Sequence, residues 1–178
     1  MLLEDEAGFY RQPTMAPVWA PGGRRQPRVP WSAAANRPLR AAIGFDPVRG
    51  RLVHRLRSSF TALEMGRFYR FMSQAWAAVE RIVLVMDNWP IHRHARAWAM
   101  LEADRRIQVL WLPTYAPWLN PAEKVWKWLR QRLVHMHPWS ADFTQLRARV
   151  DRTLASANDD PQALLRYTGT GYCKLYRS

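Results

Sequence analysis

Cysteine is almost missing from this chain. Cys173 stands alone, so neither an intrachain disulfide nor a cysteine-based zinc site can form, and a reducing compartment is expected. Long apolar runs are missing as well. None approaches the ~18 residues of a membrane span, and Glu4, Asp5 and Glu6 stand where a signal peptide would carry basic residues. A soluble intracellular protein without a membrane partner follows. Acid is scarce, with 14 Asp and Glu against 27 Lys and Arg, giving a net charge of +13. Lysine is scarcer still: Lys124, Lys127 and Lys174 are the only three, and the remaining basic residues are arginine. The guanidinium fork binds phosphate bidentately and stacks on bases, so this balance points to nucleic acid before it points to a lipid surface. A biased base composition produces the same Arg- and Trp-rich, Lys-poor chain and is the competing explanation.

What is present reads as one domain, 1–160, with 161–178 a tail that receives no assignment. Apolar character over the first eleven residues predicts a strand, ended by Pro13 and Pro17. Residues 21–38 are proline- and glycine-rich and loop-like, with a short strand candidate at Gln26 to Val29. Leu39 to Phe45 and Arg51 to Leu56 form a predicted hairpin across Asp46-Pro47-Val48-Arg49-Gly50. The period then changes. Thr61-Ala62-Leu63-Glu64 has the form of a capping box, with Phe60 placed to staple on Met65, and apolar residues from Phe68 to Val79 recur at helical spacing, predicting a helix over 61–79. A buried strand at Ile82 to Met86, a helix from Pro90 to about Ala103 and a second buried strand at Ile107 to Leu112 make a right-handed parallel crossover. Helices from Pro121 to about Val134 and from Ala141 to Ala157 follow. Three antiparallel strands, a helix, then parallel strands alternating with helices describe an α/β fold of ribonuclease-H type: a mixed five-stranded sheet flanked by helices, its first strand paired with its fourth.

That topology gives meaning to three acidic positions. Asp5 lies on the first strand, Asp87 ends the apolar run Ile82 to Met86, and Glu123 opens a later helix; α/β sheets place their chemistry where strand ends and helix starts meet. Magnesium takes hard oxygen ligands and needs only one or two carboxylates per ion. A pair of such ions, about 3.5 to 4 Å apart, can clamp both oxygens of an in-line phosphoryl displacement. Asp5 is the expected bridge, with Asp87 completing one metal and Glu123 the other. Each residue also has a structural explanation. Asn120-Pro121-Ala122-Glu123 resembles a capping box, and Glu123 could pair with Lys127 one turn on. Asp87-Asn88 could simply turn the chain and cap the next helix, and Asp5 could be one of three exposed acids.

Histidines at 92 and 94, and at 135 and 137, have a spacing that does not share one helix face, so neither pair makes a good metal site. His92 follows Asp87 closely enough to reach substrate phosphate. Most of the ten tryptophans are expected in the core, including Trp76, Trp126 and at least one of Trp98 and Trp111, whereas Trp89 and Trp118, beside prolines, could stack on a displaced base.

The blocks Asp87-Asn88-Trp89-Pro90-Ile91-His92 and Leu112-Pro113-Thr114-Tyr115-Ala116-Pro117-Trp118-Leu119-Asn120-Pro121-Ala122-Glu123-Lys124-Val125-Trp126 resemble those of DDE-type transposases of the mariner-like bacterial insertion-sequence family. Glu4-Asp5-Glu6-Ala7-Gly8-Phe9, with Trp19-Ala20-Pro21-Gly22-Gly23 after it, is similar to that family's first catalytic strand and its sequel. The resemblance spans about residues 1–155. It implies a ribonuclease-H-like domain that cuts DNA and joins strands with two Mg²⁺ or Mn²⁺ ions held by Asp5, Asp87 and Glu123. It further implies DNA contacts from Asn88, His92, Lys124, Lys127 and Arg130, a homodimer on DNA, and residence with the nucleoid in a bacterial cytoplasm. Members usually carry helix-turn-helix modules ahead of the first catalytic strand, which here begins near Met1. A separate N-terminal helix-turn-helix half, a truncated remnant and a misplaced start are the three expectations. A catalytically silent remnant that only binds nucleic acid and a ribonuclease-H-like nuclease are the competing functions.

Overall fold

In a computed structural model, the described residues are 1–15, 17, 22, 28–33, 36–114, 116–135 and 137–171. Strands β1 (Leu2–Tyr10), β2 (Pro38–Phe45) and β3 (Leu52–Arg57) are followed by α1 (Ala62–Ala75), β4 (Ile82–Met86), α2 (Ala95–Glu102) and β5 (Ile107–Trp111). Helix α3 (Glu123–Leu129) runs on into wider π-type turns at Arg130–Val134, and α4 (Phe143–Ser156) and α5 (Pro161–Thr168) close the chain. The sheet order is β3-β2-β1-β4-β5, with β1 antiparallel to β2 and parallel to β4, and β4 parallel to β5. The expected five-stranded mixed sheet is present, and the first strand does pair with the fourth.

Strand alternation sends the side chains of β1 to two different cores. Leu3, Ala7 and Phe9 pack with Val125, Trp126, Leu146, Val150 and Leu164, beneath α3, α4 and α5. Leu2 joins Met65, Phe68, Tyr69, Met72, Ile82, Leu84 and Met86 beneath α1 and α2. Each fully buried aliphatic or aromatic side chain of this kind contributes roughly 1.5–3 kcal/mol, so β1 is the element both layers lean on. Helix α1 lies very close to β2. A Cβ added at Gly44 would come within 2.6 Å of Met72 Sδ.

Local chemistry sets the boundaries. The hairpin turn is fastened by Asp46, whose Oδ1 accepts from the Val48 and Arg49 amides, and Gly50 completes it at φ +72°. Thr61 caps α1 by accepting from the Glu64 amide at 3.3 Å, but Glu64 pairs with Arg57 and Arg67 in place of closing a capping box. The helix ends at Ala75, short of Val79. Helix α2 begins five residues later than expected, because i to i+3 bonds over Trp89 to His94 hold a tight turn and His94 then caps the Arg96 amide.

Four further expectations change. Strand β5 is not buried: it lies at the sheet edge and Leu110 is 54% exposed. The strand candidate at Gln26 to Val29 falls mostly outside the described residues, and Arg28 and Val29 are not in a strand. Tryptophan is less central than its number suggests. Among the described residues only Trp76, Trp126 and Trp128 are buried, while Trp98 and Trp111 are partly buried and stack on each other. Residues after Pro161 are not featureless, since α5 places Leu164 and Leu165 in the same core as β1.

Candidate active site

The register of β1 on β4 aligns Leu2 with Leu84 and Leu3 with Val85. Continued two residues at the same offset, it sets Asp5 beside Asp87, one residue past the end of β4. Glu123, the first residue of α3, joins them on the wall of one cleft of about 350 Å³, together with Asn88, Trp89 and Asn120.

Two buried polar contacts fix α3 against β1. Asn120 Nδ2 donates to the Glu4 carbonyl at 2.9 Å while its Oδ1 accepts from the Ala122 amide. Trp126, one turn after Glu123 on the same helix face, donates its indole N–H to Asp5 Oδ2 at 2.9 Å and packs edge-on against Phe9. Asn120 thus fastens the turn that leads into the helix without capping α3 itself, and among the described residues the Glu123 side chain makes no hydrogen bond and no ion pair, with Lys127 or any other group. Asp87 does turn the chain, accepting from the Trp89 amide at 2.8 Å, but His94 and not Asp87 caps α2.

Burial and mutual repulsion shape the charge of the cleft. Asp5 is buried, and that burial, with Glu123 and Glu6 nearby, pushes its carboxyl up to about 8 despite the opposing hydrogen bonds from Trp126 and the Glu6 amide. Asp87 is held below the usual carboxylate range by His92 and the Trp89 amide. A buried carboxyl driven toward neutrality by another carboxylate is the donor set of a hard-cation site: a divalent ion removes the repulsion, and oxygen donors suit Mg²⁺ or Mn²⁺. Asp5, Asp87 and Glu123 could hold such ions.

Glu4 and Glu6 point the other way. On the α1 and α2 side of β1 they meet His92, whose Nε2 lies 3.9 Å from Glu4 Oε2, 3.7 Å from Glu6 Oε1 and 3.2 Å from Asp87 Oδ1. Burial, then Glu6, raises Glu4 well above its ordinary value, and burial raises Glu6 to about 6 against the pull of His92. Tyr69 Oη shares a 2.5 Å hydrogen bond with His92 Nδ1. None of this is visible in the spacing of the sequence except that Glu4 and Glu6, two apart on a strand, must share a face.

The structure corrects one residue of the expected DNA-binding set. His92 is fully buried, so it has no surface to offer phosphate; its side chain is drawn inward by Tyr69 and the turn before α2. Asn88 is occupied at both ends, donating to the Leu112 carbonyl and accepting from Arg93. Lys124 donates to the Thr168 carbonyl at 2.7 Å, tying α3 to α5. Lys124, Lys127 and Arg130 line a second depression that begins at Glu123, with Arg130 lying over the Phe9 ring. Trp89 and Trp118 are exposed, at 41% and 76%, and Trp89 sits edge-on to His92.

Known proteins share this architecture. The mariner Mos1 paired end complex with Mg is similar over 96% of this chain and 51% of that one, at a TM-score of 0.69 and 15% identity. The catalytic domain of Mos1 mariner transposase matches over 96% of this chain and 76% of that one, at 0.60 and 14%. The fold is thus ribonuclease-H-like, as in transposase and integrase catalytic domains. In sequence, the insertion element IS630 uncharacterized 39 kDa protein of Shigella sonnei is 25% identical over 76 residues, which is 43% of this chain and 22% of that protein. The chain spans about half the length of the Mos1 paired-end chain and matches about a fifth of the Shigella protein. The sequence profile of the DDE superfamily endonucleases matches residues 1–147, and the chain belongs to that family.

Proposed function

We propose that this chain is the catalytic domain of a DNA transposase, cleaving DNA strands and transferring them with two Mg²⁺ or Mn²⁺ ions held by Asp5, Asp87 and Glu123. The observation that carries the reading is the meeting of these three carboxylates in one cleft, with Asp5 buried and the Glu123 side chain without a partner among the described residues. Solved Mos1 complexes with Mg, with Mn and with a left transposon end support it. Divalent cations in the cleft would stabilise the attacking and leaving oxygens of an in-line displacement at phosphorus.

The chain's own residues do the positioning. Trp126 and the Glu6 amide hold the Asp5 carboxyl in one orientation, in which it would help to hold a divalent cation. The Trp89 amide steadies Asp87, and Glu123 is free to turn toward a cation. Lys127 and Arg130 continue the cleft as a basic track for the sugar-phosphate backbone. Water, then a DNA 3′-hydroxyl, is the nucleophile. Recognition of element ends is assigned to helix-turn-helix modules outside residues 1–178, and joining of two ends to a homodimer on DNA, in the bacterial nucleoid. Binding by this chain alone is through phosphates: it falls steeply with salt, by roughly 0.9 in log K per log unit of salt for each phosphate neutralised.

The test is nicking of duplex DNA with Mg²⁺ or Mn²⁺ by the parent and by Asp5→Asn, Asp87→Asn and Glu123→Gln, with far-UV circular dichroism as the folding control. Cleavage by the parent and by none of the folded variants supports the reading. A folded parent that binds DNA and never cuts it leaves a silent binding remnant, and cleavage of an RNA–DNA hybrid alone leaves a ribonuclease.

A further inference from the structure

We propose that Glu4, Glu6 and His92 form a second, buried cation site on the face of β1 opposite Asp5, suited to a divalent first-row metal ion that accepts imidazole nitrogen, such as Mn²⁺ or Zn²⁺, in preference to Mg²⁺. One ligand atom from each of the three residues lies within 4.8 Å of the others. Glu4 and His92 are 1% and 0% exposed, yet among the described residues both Glu4 carboxylate oxygens, Glu6 Oε1 and His92 Nε2 have no hydrogen-bond partner. Buried polar atoms are nearly always paired, so orphan ligand atoms from three residues gathered this closely call for a ligand.

The imidazole identifies what that ligand is. Nδ1 is committed to Tyr69 Oη. With the ring proton on Nδ1, Nε2 presents a lone pair to the two carboxylates, an arrangement that is repulsive unless a cation lies between them. A proton on Nε2 could serve only one carboxylate, Asp87 at 3.2 Å, and would leave the Glu4 and Glu6 oxygens unpaired, whereas a cation serves both glutamates and the ring. Ligand-to-metal distances of about 2.0–2.2 Å put neighbouring donors roughly 3 to 4 Å apart, the range seen here. Mixed nitrogen and carboxylate donors suit Mn²⁺ or Zn²⁺, whereas Mg²⁺ prefers oxygen and retained water. The donors are preorganised as well, since Glu4 and Glu6 ride on a central strand and His92 is locked through Tyr69 to α1. Asp87 closes the cluster on the side of the cleft and, being half exposed, marks the way in.

The site is independent of the function proposed above, and the experiment separates them. In the Asp5→Asn, Glu123→Gln double variant the cleft loses two of its carboxylates while Glu4, Glu6 and His92 remain. Titrated with Mn²⁺, this folded protein should bind one ion whose pulsed electron paramagnetic resonance shows coupling to an imidazole nitrogen. Zn²⁺ should displace the ion at far lower concentration than Mg²⁺. Adding Glu6→Gln should weaken binding by roughly tenfold or more, and His92→Asn should erase the nitrogen coupling. The double variant itself carries the test should either added substitution fail to fold. Absence of bound Mn²⁺, bound Mn²⁺ without nitrogen coupling, or equal displacement by Mg²⁺ overturns the proposal, the first of these leaving a proton shared between Glu4 and Glu6 as what holds the cluster together.

Discussion

The two faces of β1 carry acids from three successive positions, Glu4, Asp5 and Glu6, and treat them differently. On one face Asp5 is fixed by the Trp126 indole and opens on a cleft that Glu123 shares. On the other, Glu4 and Glu6 are enclosed with His92 and have buried oxygens that no donor among the described residues reaches. The difference lies in the layer that covers each face. Helix α3 brings a donor and leaves an opening, whereas α1 and the turn before α2 bring an imidazole and close the space. Burial alone does not decide what a strand carboxylate is for; the partner carried by the covering helix does.

The largest expected break between the faces is in catalysis. Asp5→Asn should lower metal-dependent cleavage by about a thousandfold or more, equivalent to roughly 4 kcal/mol of transition-state stabilisation, while Glu4→Gln keeps most of it. Equal losses, measured as single-turnover nicking rates, would show that the faces act as one site.

The next effect is on stability against pH. In the absence of metal, Asp5 is raised to about 8 in the folded chain from an ordinary 3.8, so the folded state holds its proton more tightly than the unfolded chain does. That contribution is fully present below about pH 4 and is lost as pH rises toward 8. Asp5→Asn should therefore match the parent near pH 4 and exceed it by a few kcal/mol at pH 8, because each tenfold difference in proton affinity between the two states is worth roughly 1.4 kcal/mol. Mg²⁺ should raise the parent's melting temperature more at pH 8 than at pH 6. Urea titrations and melting curves at both pH values, with and without Mg²⁺, check both statements.

Smaller effects sharpen how α3 is attached. Trp126→Phe keeps an aromatic ring but removes the indole donor to Asp5 and some buried volume, and should cost roughly 2–3 kcal/mol in urea unfolding. Asn120→Ala frees the Glu4 carbonyl and the Ala122 amide and should cost about 1–2 kcal/mol. Glu123→Gln should change stability least, within about 0.5 kcal/mol, because the exposed side chain has no partner to lose. A loss near 1 kcal/mol would give Glu123 a helix-capping role.

Much of the frame is legible in the chain. The change from alternating to helical spacing near Phe60 sets the order of elements, and the acids at Asp5, Asp87 and Glu123 fall where a strand, a strand end and a helix start must lie. Less legible are features set by neighbours. A run such as Ile107 to Trp111 has the same apolar content at a sheet edge as in its middle, so β5 reads as buried. Proline at position 90 suggests a helix start, but the tight turn over Trp89 to His94 delays α2 to Ala95. The tail from Pro161 has too short an apolar pattern to declare a helix by itself, and α5 is held by Leu164 and Leu165 in a core that joins residues of α3 and α4 to those of the distant strands β1 to β3.

By itself the sequence determined the alternation of β1, and with it the rule that Asp5 faces one way and Glu4 and Glu6 the other, because the period of a strand is a property of local backbone geometry. It also determined the strong positive charge and the lack of cysteine chemistry, since both are fixed by composition. Only the tertiary structure decided that Trp126 meets Asp5, that Tyr69 and His92 meet Glu4 and Glu6, and that His92 is withdrawn from the surface. Those contacts join residues separated by up to 121 positions. They exist because sheet order and helix packing bring distant segments together, and no local preference encodes which distant side chain will stand opposite a given carboxylate.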